Sequence, residues 1–311
     1  MLQTLDPARS QFLNDLASLQ NRMTKTQAEL TSGIRISKPS DDPTAVGDVL
    51  QLQSDIGRVT QVTSNLNGVK SEVDTASGVV QNAISLLDQA RSLAAQGAST
   101  TISPTERTAM AAQAEQILNT LIDDSRATFD GHYLFSGDNS LQPAYSVNLA
   151  NANGVNRLVT APATRLIQDS SGQTFAVAKT AQDLFDHRNP DDSLAADNVF
   201  AAVNSLRVAL ANNDQAGTIA AAASVQAAQE YLNQQGAFYG AVQNRVTNAL
   251  DVAEKFQLQS QTALSAERDT DVAAAATDLT QEQLSQQAAM QAQATMPRNS
   301  LFDLLTSTPS A

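Results

Sequence analysis

The chain is 311 residues long, carries a formal net charge of −13 and contains neither cysteine nor tryptophan. The missing cysteines exclude a disulfide framework, a thiolate nucleophile and a thiolate metal site. The acidity argues against nucleic acid, whose phosphates demand a basic footprint, and against anionic membrane surfaces.

A chain of this length can bury a sizeable core without covalent staples. Aromatic residues make up 4% of it, while alanine and glutamine are abundant, a composition that suits long helices packed side by side. The opening Met1-Leu2-Gln3-Thr4-Leu5-Asp6-Pro7 lacks the basic and apolar regions of a secretory signal. No window approaches the ~18–20 apolar residues of a membrane span.

The first helical pattern is Phe12, Leu16, Leu19, Met23, Thr26, Leu30, an a/d seam. It stops at Ser32-Gly33-Ile34, where Gly33 suits a left-handed cap. Residues 34–43 read as a loop, since Pro39 and Pro43 cannot sit inside a helix. Ser40-Asp41-Asp42 offers N-caps for the next helix, with Pro43 in its first turn.

The second pattern runs from Ala45 to Ala94 through Val49, Leu52, Ile56, Val59, Thr63, Leu66 and Lys70. It continues through Val73, Ser77, Val80, Ile84, Leu87 and Arg91. About 50 helical residues span roughly 75 Å, a length that predicts a coiled coil or similar rod. Gly97 ends it. Ser103-Pro104-Thr105-Glu106 is a capping box that opens a third helix to about Ala127, antiparallel to the second.

Residues 132–180 change character. Short β-type runs (Tyr133–Ser136, Tyr145–Asn148, Arg157–Thr160, Thr174–Ala178) alternate with turn clusters such as Asn153-Gly154 and Ser171-Gly172. They predict a small β-containing domain between helical halves. Helix returns with Asp197 as the expected N-cap, followed by Val199, Phe200, Val203 and Leu206. Asp214 starts another helix, to about Glu267, whose seam includes Val242, Val246, Ala249, Ala253 and Phe256. Arg268-Asp269-Thr270-Asp271 marks a boundary. The last pattern is Val272, Ala276, Leu279, Gln283, Gln286, Met290, Gln293; Pro297 breaks it before Leu301-Phe302-Asp303-Leu304-Leu305.

The terminal helices are weak, because alanine and glutamine at core positions bury little apolar area and isolated helices are marginal in water. Both tails are therefore expected to be unfolded in the free chain and to fold on partners. The alternative pairs them with each other within one chain.

Chemistry-bearing residues are sparse. His132 and His187 stand apart, neither at ligand spacing to another histidine, and read as solvated or hydrogen-bonded side chains. Asp41-Asp42, Asp123-Asp124 and Asp191-Asp192 are adjacent carboxylates that diverge on a helix or cap one, with no EF-hand pattern. No phosphate-binding or nucleophile-elbow motif occurs. The expected catalytic residues, metal and cofactor are none.

Leu30-Thr31-Ser32-Gly33-Ile34-Arg35-Ile36 resembles the Leu-Ser-Ser-Gly-Leu-Arg-Ile turn of the bacterial flagellin family, in the same place between a first heptad helix and a longer second one. Lys38-Pro39-Ser40-Asp41-Asp42-Pro43 is similar to the Pro-Ser-Asp-Asp-Pro of that family's hook–filament junction members. Gly131-His132-Tyr133-Leu134-Phe135-Ser136-Gly137 resembles their Gly-x-Tyr-Leu-Phe-Ser-Gly. The Arg268–Ala273 and Ser300–Leu305 stretches look like the family's C-terminal motifs. The likeness covers roughly 1–137 and 195–311 but not the middle.

The resemblance implies a structural subunit exported by the flagellar type III route and assembled outside the cell. Its implied partners are further copies in a ring, the other hook–filament junction protein, flagellin and a cytoplasmic export chaperone. The expected fold is mainly α with an inserted small β domain, an elongated antiparallel helical bundle or coiled-coil rod of flagellin-like type. Residues 1–40 with 269–311 would form terminal coiled-coil segments, 41–131 with 195–268 a helical rod, and 132–194 a β-containing outer domain. The assembly seams would be Phe12, Leu16, Leu19, Met23 and Leu30 at one end, and Val272, Ala276, Leu279, Met290, Leu301, Leu304 and Leu305 at the other. The rod core would be Val49, Leu52, Ile56, Val59, Leu66, Val73, Val80, Ile84, Leu87, Val242, Val246 and Phe256. The motif turn would be Ser32, Gly33, Ile34, Arg35, Pro39, Asp42 and Pro43. Two other readings stay open: flagellin itself, and a non-flagellar coiled-coil adaptor.

Overall fold

The computed structural model describes residues 7–163, 165–168 and 172–295. It is mainly helical, with short antiparallel strand pairs, as expected. The chain divides into two compact units, one built from the two ends (up to Gly57 and from Leu258), the other from Arg58–Gln257.

In the terminal unit, α1 (Pro7–Ser32) packs along α7 (Val272–Thr295). The two run antiparallel, because the turn after α1 is bonded to the turn before α7, Thr270 N–H donating to the Gly33 carbonyl at 2.9 Å. Buried Ile36, Ala45, Val49 and Leu264 form a separate small core beside them. These last residues come from the connecting loop, the start of α2 (Val46–Gly97) and the end of α6 (Gln215–Arg268).

The central unit holds the rest of α2 and α6 together with α3 (Pro104–Ser125), α4 (Ala181–Phe185) and α5 (Val199–Ala211). Ser103 and Glu106 close the expected capping box on α3. The helix ends at Ser125, two residues before the expected Ala127. The α5 N-cap is Asn198 rather than Asp197, because the Asn198 side chain accepts from Ala201 N–H while Asp197 turns to His187.

The β-type stretch makes three separate ribbons: β1 (Thr128–Phe129) with β2 (His132–Tyr133), β3 (Tyr145–Val147) with β4 (Val155–Arg157), and β5 (Leu166–Gln168) with β6 (Thr174–Ala176). β1, β5 and the short α4 have no counterpart in the sequence reading. Each is too short to establish a period of its own. Phe135, Tyr145, Val155 and Phe175 from this stretch are buried in the same core as the helices.

The helical core keeps a seven-residue beat. On α2, Val59, Leu66, Val73, Val80, Leu87 and Ala94 are buried, as the sequence pattern requires. The intervening positions are corrected by one residue: Val69, Ala76, Ala83 and Ala90 are buried, not Lys70, Ser77 and Arg91, while Ile84 is half-buried. A seam can alternate three then four, or four then three, and the observed phase places small or apolar residues inside. Lys70 and Arg91 instead meet Asp74 and Asp88 on the exposed side. On α6 the buried row includes Ala221, Val225, Ala228, Leu232, Tyr239, Val242, Val246, Ala249 and Ala253. Phe256 departs from it and is 36% exposed, with the Arg58 guanidinium 5.9 Å above its ring. After Ala253 the row steps to half-buried Gln257, an eleven-residue step from Val246 that follows the natural ~3.6-residue turn of a straight helix instead of a strict heptad.

Candidate assembly site

The residues singled out at the two ends meet in the terminal unit as a clasp. Gly33 adopts φ +71 and its N–H returns to Glu29 O at 2.8 Å, ending α1 in the left-handed region that glycine enters without strain. Ser32 Oγ accepts from Ile34 N–H. The chain then pairs Ile34 with Asp269 in an antiparallel bridge. Arg35 and Ile36 N–H both donate to the Arg268 carbonyl, at 2.8 and 3.2 Å. Arg35 Nη2 donates to Glu267 O at 2.7 Å. The last carbonyls of α6, which lack helical partners, are thus satisfied by the turn that follows α1, and a cation sits at the negative helix end.

Two carboxylates hold the loop that presents Arg35. Asp42 pairs with Arg35 at 3.1 Å and accepts from the Thr44 hydroxyl at 2.7 Å and from the Thr44 and Ala45 N–H groups. The Thr44 hydroxyl first, then Arg35, pull its pKa down to about 2. Asp41 accepts from Ser37 and Lys38 N–H, and those backbone donors lower its pKa as well. On the opposite strand of the clasp, Asp269 is lowered by the Ser265 hydroxyl, and Asp271 caps α7 through Ala273 and Ala274 N–H. Pro39 and Pro43 are exposed and contribute turn geometry rather than contact.

Along α1, Leu19 is buried and Phe12, Leu16, Met23 and Leu30 are half-buried, all on one stripe. Facing them, α7 uses Ala275, Leu279, Glu282, Gln286, Ala289 and Gln293. Val272, Ala276 and Met290 do not join this seam: Val272 is 58% and Met290 55% exposed. Leu279 is shared by both readings. Alanine and glutamine occur on both candidate rows, and Val272 and Met290 made the other row the more apolar one, so composition pointed to the wrong phase. Glu282 Oε2 is buried against the seam without a hydrogen-bond partner. Leu301, Leu304 and Leu305 lie outside the described residues.

In the central unit the structure exposes a polar node that sequence reading missed. Asp186 is fully buried and accepts from Tyr145 OH at 3.0 Å, Asn153 Nδ2 at 3.0 Å, Asn198 Nδ2 at 2.8 Å and Arg188 Nε at 2.8 Å. Burial first, then the neighbouring carboxylate, pushes the Tyr145 hydroxyl upward. Buried Glu72 on α2 pairs with Arg165 at 2.6 Å, and its pKa is raised by desolvation against that cation's pull. His132 meets Ser140, while His187 bonds Asp197 and stacks on Tyr231. No sequence motif announces the node or the Glu72 pair, since Tyr145 and Asn153 lie 41 and 33 residues from Asp186 and Arg165 lies 93 from Glu72. Gly137, the last residue of the motif beginning at Gly131, has φ +61, and a Cβ there would lie 2.5 Å from Pro162 O. Only glycine lets the 137–138 backbone come this close to the Ala161-Pro162 segment, where Asp138 N–H donates to Pro162 O at 3.1 Å. No cluster of metal-ligating side chains occurs among the described residues.

The family profile of the bacterial flagellin N-terminal helical region matches residues 7–140, and that of the flagellin C-terminal helical region matches 222–305. The chain belongs to the bacterial flagellin family. The subunits of this family are structural components of the flagellum. Flagellin from Bacillus subtilis (strain 168) is 26% identical over 300 residues, covering 94% of this chain and 96% of that protein. The flagellar filament 30.7 kDa core protein of Treponema maltophilum is 24% identical, covering 95% and 97%. Among solved structures, the flagellar hook-associated protein-3 of Legionella pneumophila superposes with a TM-score of 0.60 at 15% identity, covering 70% of this chain and 98% of that one. FlgL of Bacillus cereus gives 0.54 at 13% identity, covering 72% and 100%. These likenesses establish a shared fold, in which the two matched helical regions are the ends that the clasp joins.

Proposed function

We propose that this flagellin-family subunit forms the junction that connects the hook side of the flagellum to the flagellin filament. The observation that carries this reading is the Arg35-centred clasp. It joins the Ser32–Pro43 turn, whose Pro39-Ser40-Asp41-Asp42-Pro43 resembles junction members, to the Arg268–Asp271 turn at the other end. The solved relatives with this fold include a hook-associated protein-3 and FlgL chains, matched over nearly their whole length. Further copies in a ring, the other junction protein on the hook side, flagellin on the filament side and an export chaperone are the partners this role implies. The chain leaves the cell through the flagellar type III channel. Its ends serve as assembly segments, the helices of the central unit as the rod, and the ribbon region as the outward part.

A second reading, the filament subunit itself, is favoured by the end-to-end match to the Bacillus subtilis flagellin. Deletion of the gene separates the two. A junction subunit leaves an intact hook, no attached filament and flagellin free in the medium. A filament subunit leaves no exported flagellin, and that outcome would overturn the proposal.

A further inference from the structure

The chain contains two Asn-Gly pairs, Asn67-Gly68 and Asn153-Gly154. This dipeptide carries its own chemistry. With no side chain on the glycine, the backbone nitrogen that follows the asparagine can swing onto the side-chain amide carbon. Asn67-Gly68 lies inside α2, where Asn67 is exposed and a Cβ on Gly68 would meet open space. Asn153-Gly154 lies in the β3–β4 turn, and both of its residues are buried.

The fold demands both members of the buried pair. Gly154 has φ +78, and a Cβ there would lie 2.8 Å from Leu118 Cδ2 and 3.3 Å from Asn204 Cγ. Asn153 Nδ2 donates to the fully buried Asp186 at 3.0 Å. An ionised aspartate at 153 would offer no donor and would bring a second negative charge to the node.

The folded state also disarms the pair. Gly154 N–H donates to Asn151 O at 2.9 Å, and Gly154 O accepts from Asn148 N–H at 2.9 Å, so the nucleophilic nitrogen is held in the turn. The Asn153 amide is fixed on Asp186. From α5, Asn204 Nδ2 donates to the Asn151 and Ala152 carbonyls at 3.2 and 3.0 Å. None of these restraints exists before the chain folds.

We propose that Asn153 is a self-modification site, deamidated while the chain is unfolded and protected once it folds. A base removes the Gly154 amide proton and the nitrogen attacks Asn153 Cγ. The side-chain nitrogen leaves as ammonia, and a five-membered succinimide closes. Water then opens either ring carbonyl, leaving aspartate or isoaspartate at 153. One water is consumed and one ammonia released, with no oxidant or cofactor. Either product loses the Nδ2 donor and sets a carboxylate against Asp186. Isoaspartate also adds a carbon to the backbone two residues before β4. A converted chain therefore cannot rebuild the node that ties Tyr145 of β3 and Asn198, the α5 N-cap, to Asp186. Conversion withdraws from the folded pool those chains that stay unfolded longest.

The test uses the full-length chain carrying Asn67→Gln, which removes the other Asn-Gly pair. One sample is held folded at mildly alkaline pH and one in urea at the same pH. Peptide mass mapping with isoaspartate-specific methylation reads conversion at Asn153, which should be at least tenfold slower in the folded sample. Asn153→Asp and Asn67→Asp, made directly, compare the same chemical change at the buried and the exposed pair. Under limited proteolysis Asn67→Asp should leave the product that retains residues 58–257, and Asn153→Asp should be cut within it. Equal conversion in the two samples, or none in urea, would overturn the proposal. So would an Asn153→Asp chain as resistant as Asn67→Asp.

Discussion

Arg35 donates from Nη2 to the Glu267 carbonyl at 2.7 Å, linking positions 232 residues apart. The same guanidinium meets Asp42 at 3.1 Å, so one side chain ties the post-α1 turn to the end of α6 and to its own loop. Lysine cannot serve two acceptors in this planar, forked way. Arg35→Ala and Arg35→Lys should both loosen the terminal unit, each by about 1 kcal/mol for the lost carbonyl bond. Hydrogen exchange should quicken at Ile36 and Thr270 and stay unchanged at Leu118. Equal protection in the variants would show the bond to be incidental.

The clasp carboxylates set an acid limit. Asp42 is held at about 2, below its ordinary 3.8, by Thr44 and Arg35. Its folded pKa is depressed, so its contribution is fully present above about pH 4 and is lost as pH falls through 3.8 towards 2. Circular dichroism of terminal-unit melting from pH 5 to 2 should show that loss, with a flatter profile for Asp42→Asn.

Asp124 behaves in the opposite sense. Burial pushes its carboxyl up to about 6, against the hydrogen bond from Asn82, with Asp123 adding to the rise. A raised carboxylate pKa means the folded state holds the proton longer. The cost of ionising it is present above pH 6 and is relieved as pH falls from 6 towards 4. Asp124→Asn should raise the melting temperature of the central unit at pH 8 and leave it unchanged near pH 4. A loss at both pH values would contradict this.

The Asp186 node should dominate the stability of the ribbon region. Removing a fully buried carboxylate strands four donors, including Arg188, and costs about 3–5 kcal/mol. Asp192, whose side chain is 58% exposed while pairing with Arg157, should cost far less, because water screens that pair. Urea denaturation of Asp186→Ala and Asp192→Ala measures the difference, and similar losses would deny the node its role.

The α1–α7 pair should be the first part of the free chain to open. Its α7 side offers Ala275, Glu282, Gln286 and Gln293, so little apolar area is removed from water. Limited proteolysis of the dilute chain should remove both ends and leave a product that retains residues 58–257. Resistance of full-length protein at low concentration would refute this.

The long helices, their caps at Ser103 and Gly33, and the sevenfold beat from Val59 to Ala94 were legible because each repeats a local rule many times. The phase between those beats was not. Choosing Val69 over Lys70, or Ala275 over Ala276, depends on which neighbour the helix meets. The motifs around Ser32-Gly33 and Arg268-Asp269 were readable as boundaries, yet their pairing required the fold, because no spacing links Ile34 to Asp269. Asp186 escaped for the same reason: its partners Tyr145, Asn153 and Asn198 converge only after folding.

A junction subunit occupies only the hook–filament boundary. Leu141 is 74% exposed in the central unit, and the chain has no native cysteine, so Leu141→Cys can carry a single gold label. Electron microscopy of labelled flagella should show gold in one narrow band where hook meets filament. Gold distributed along the whole filament would contradict the junction role and establish a filament subunit.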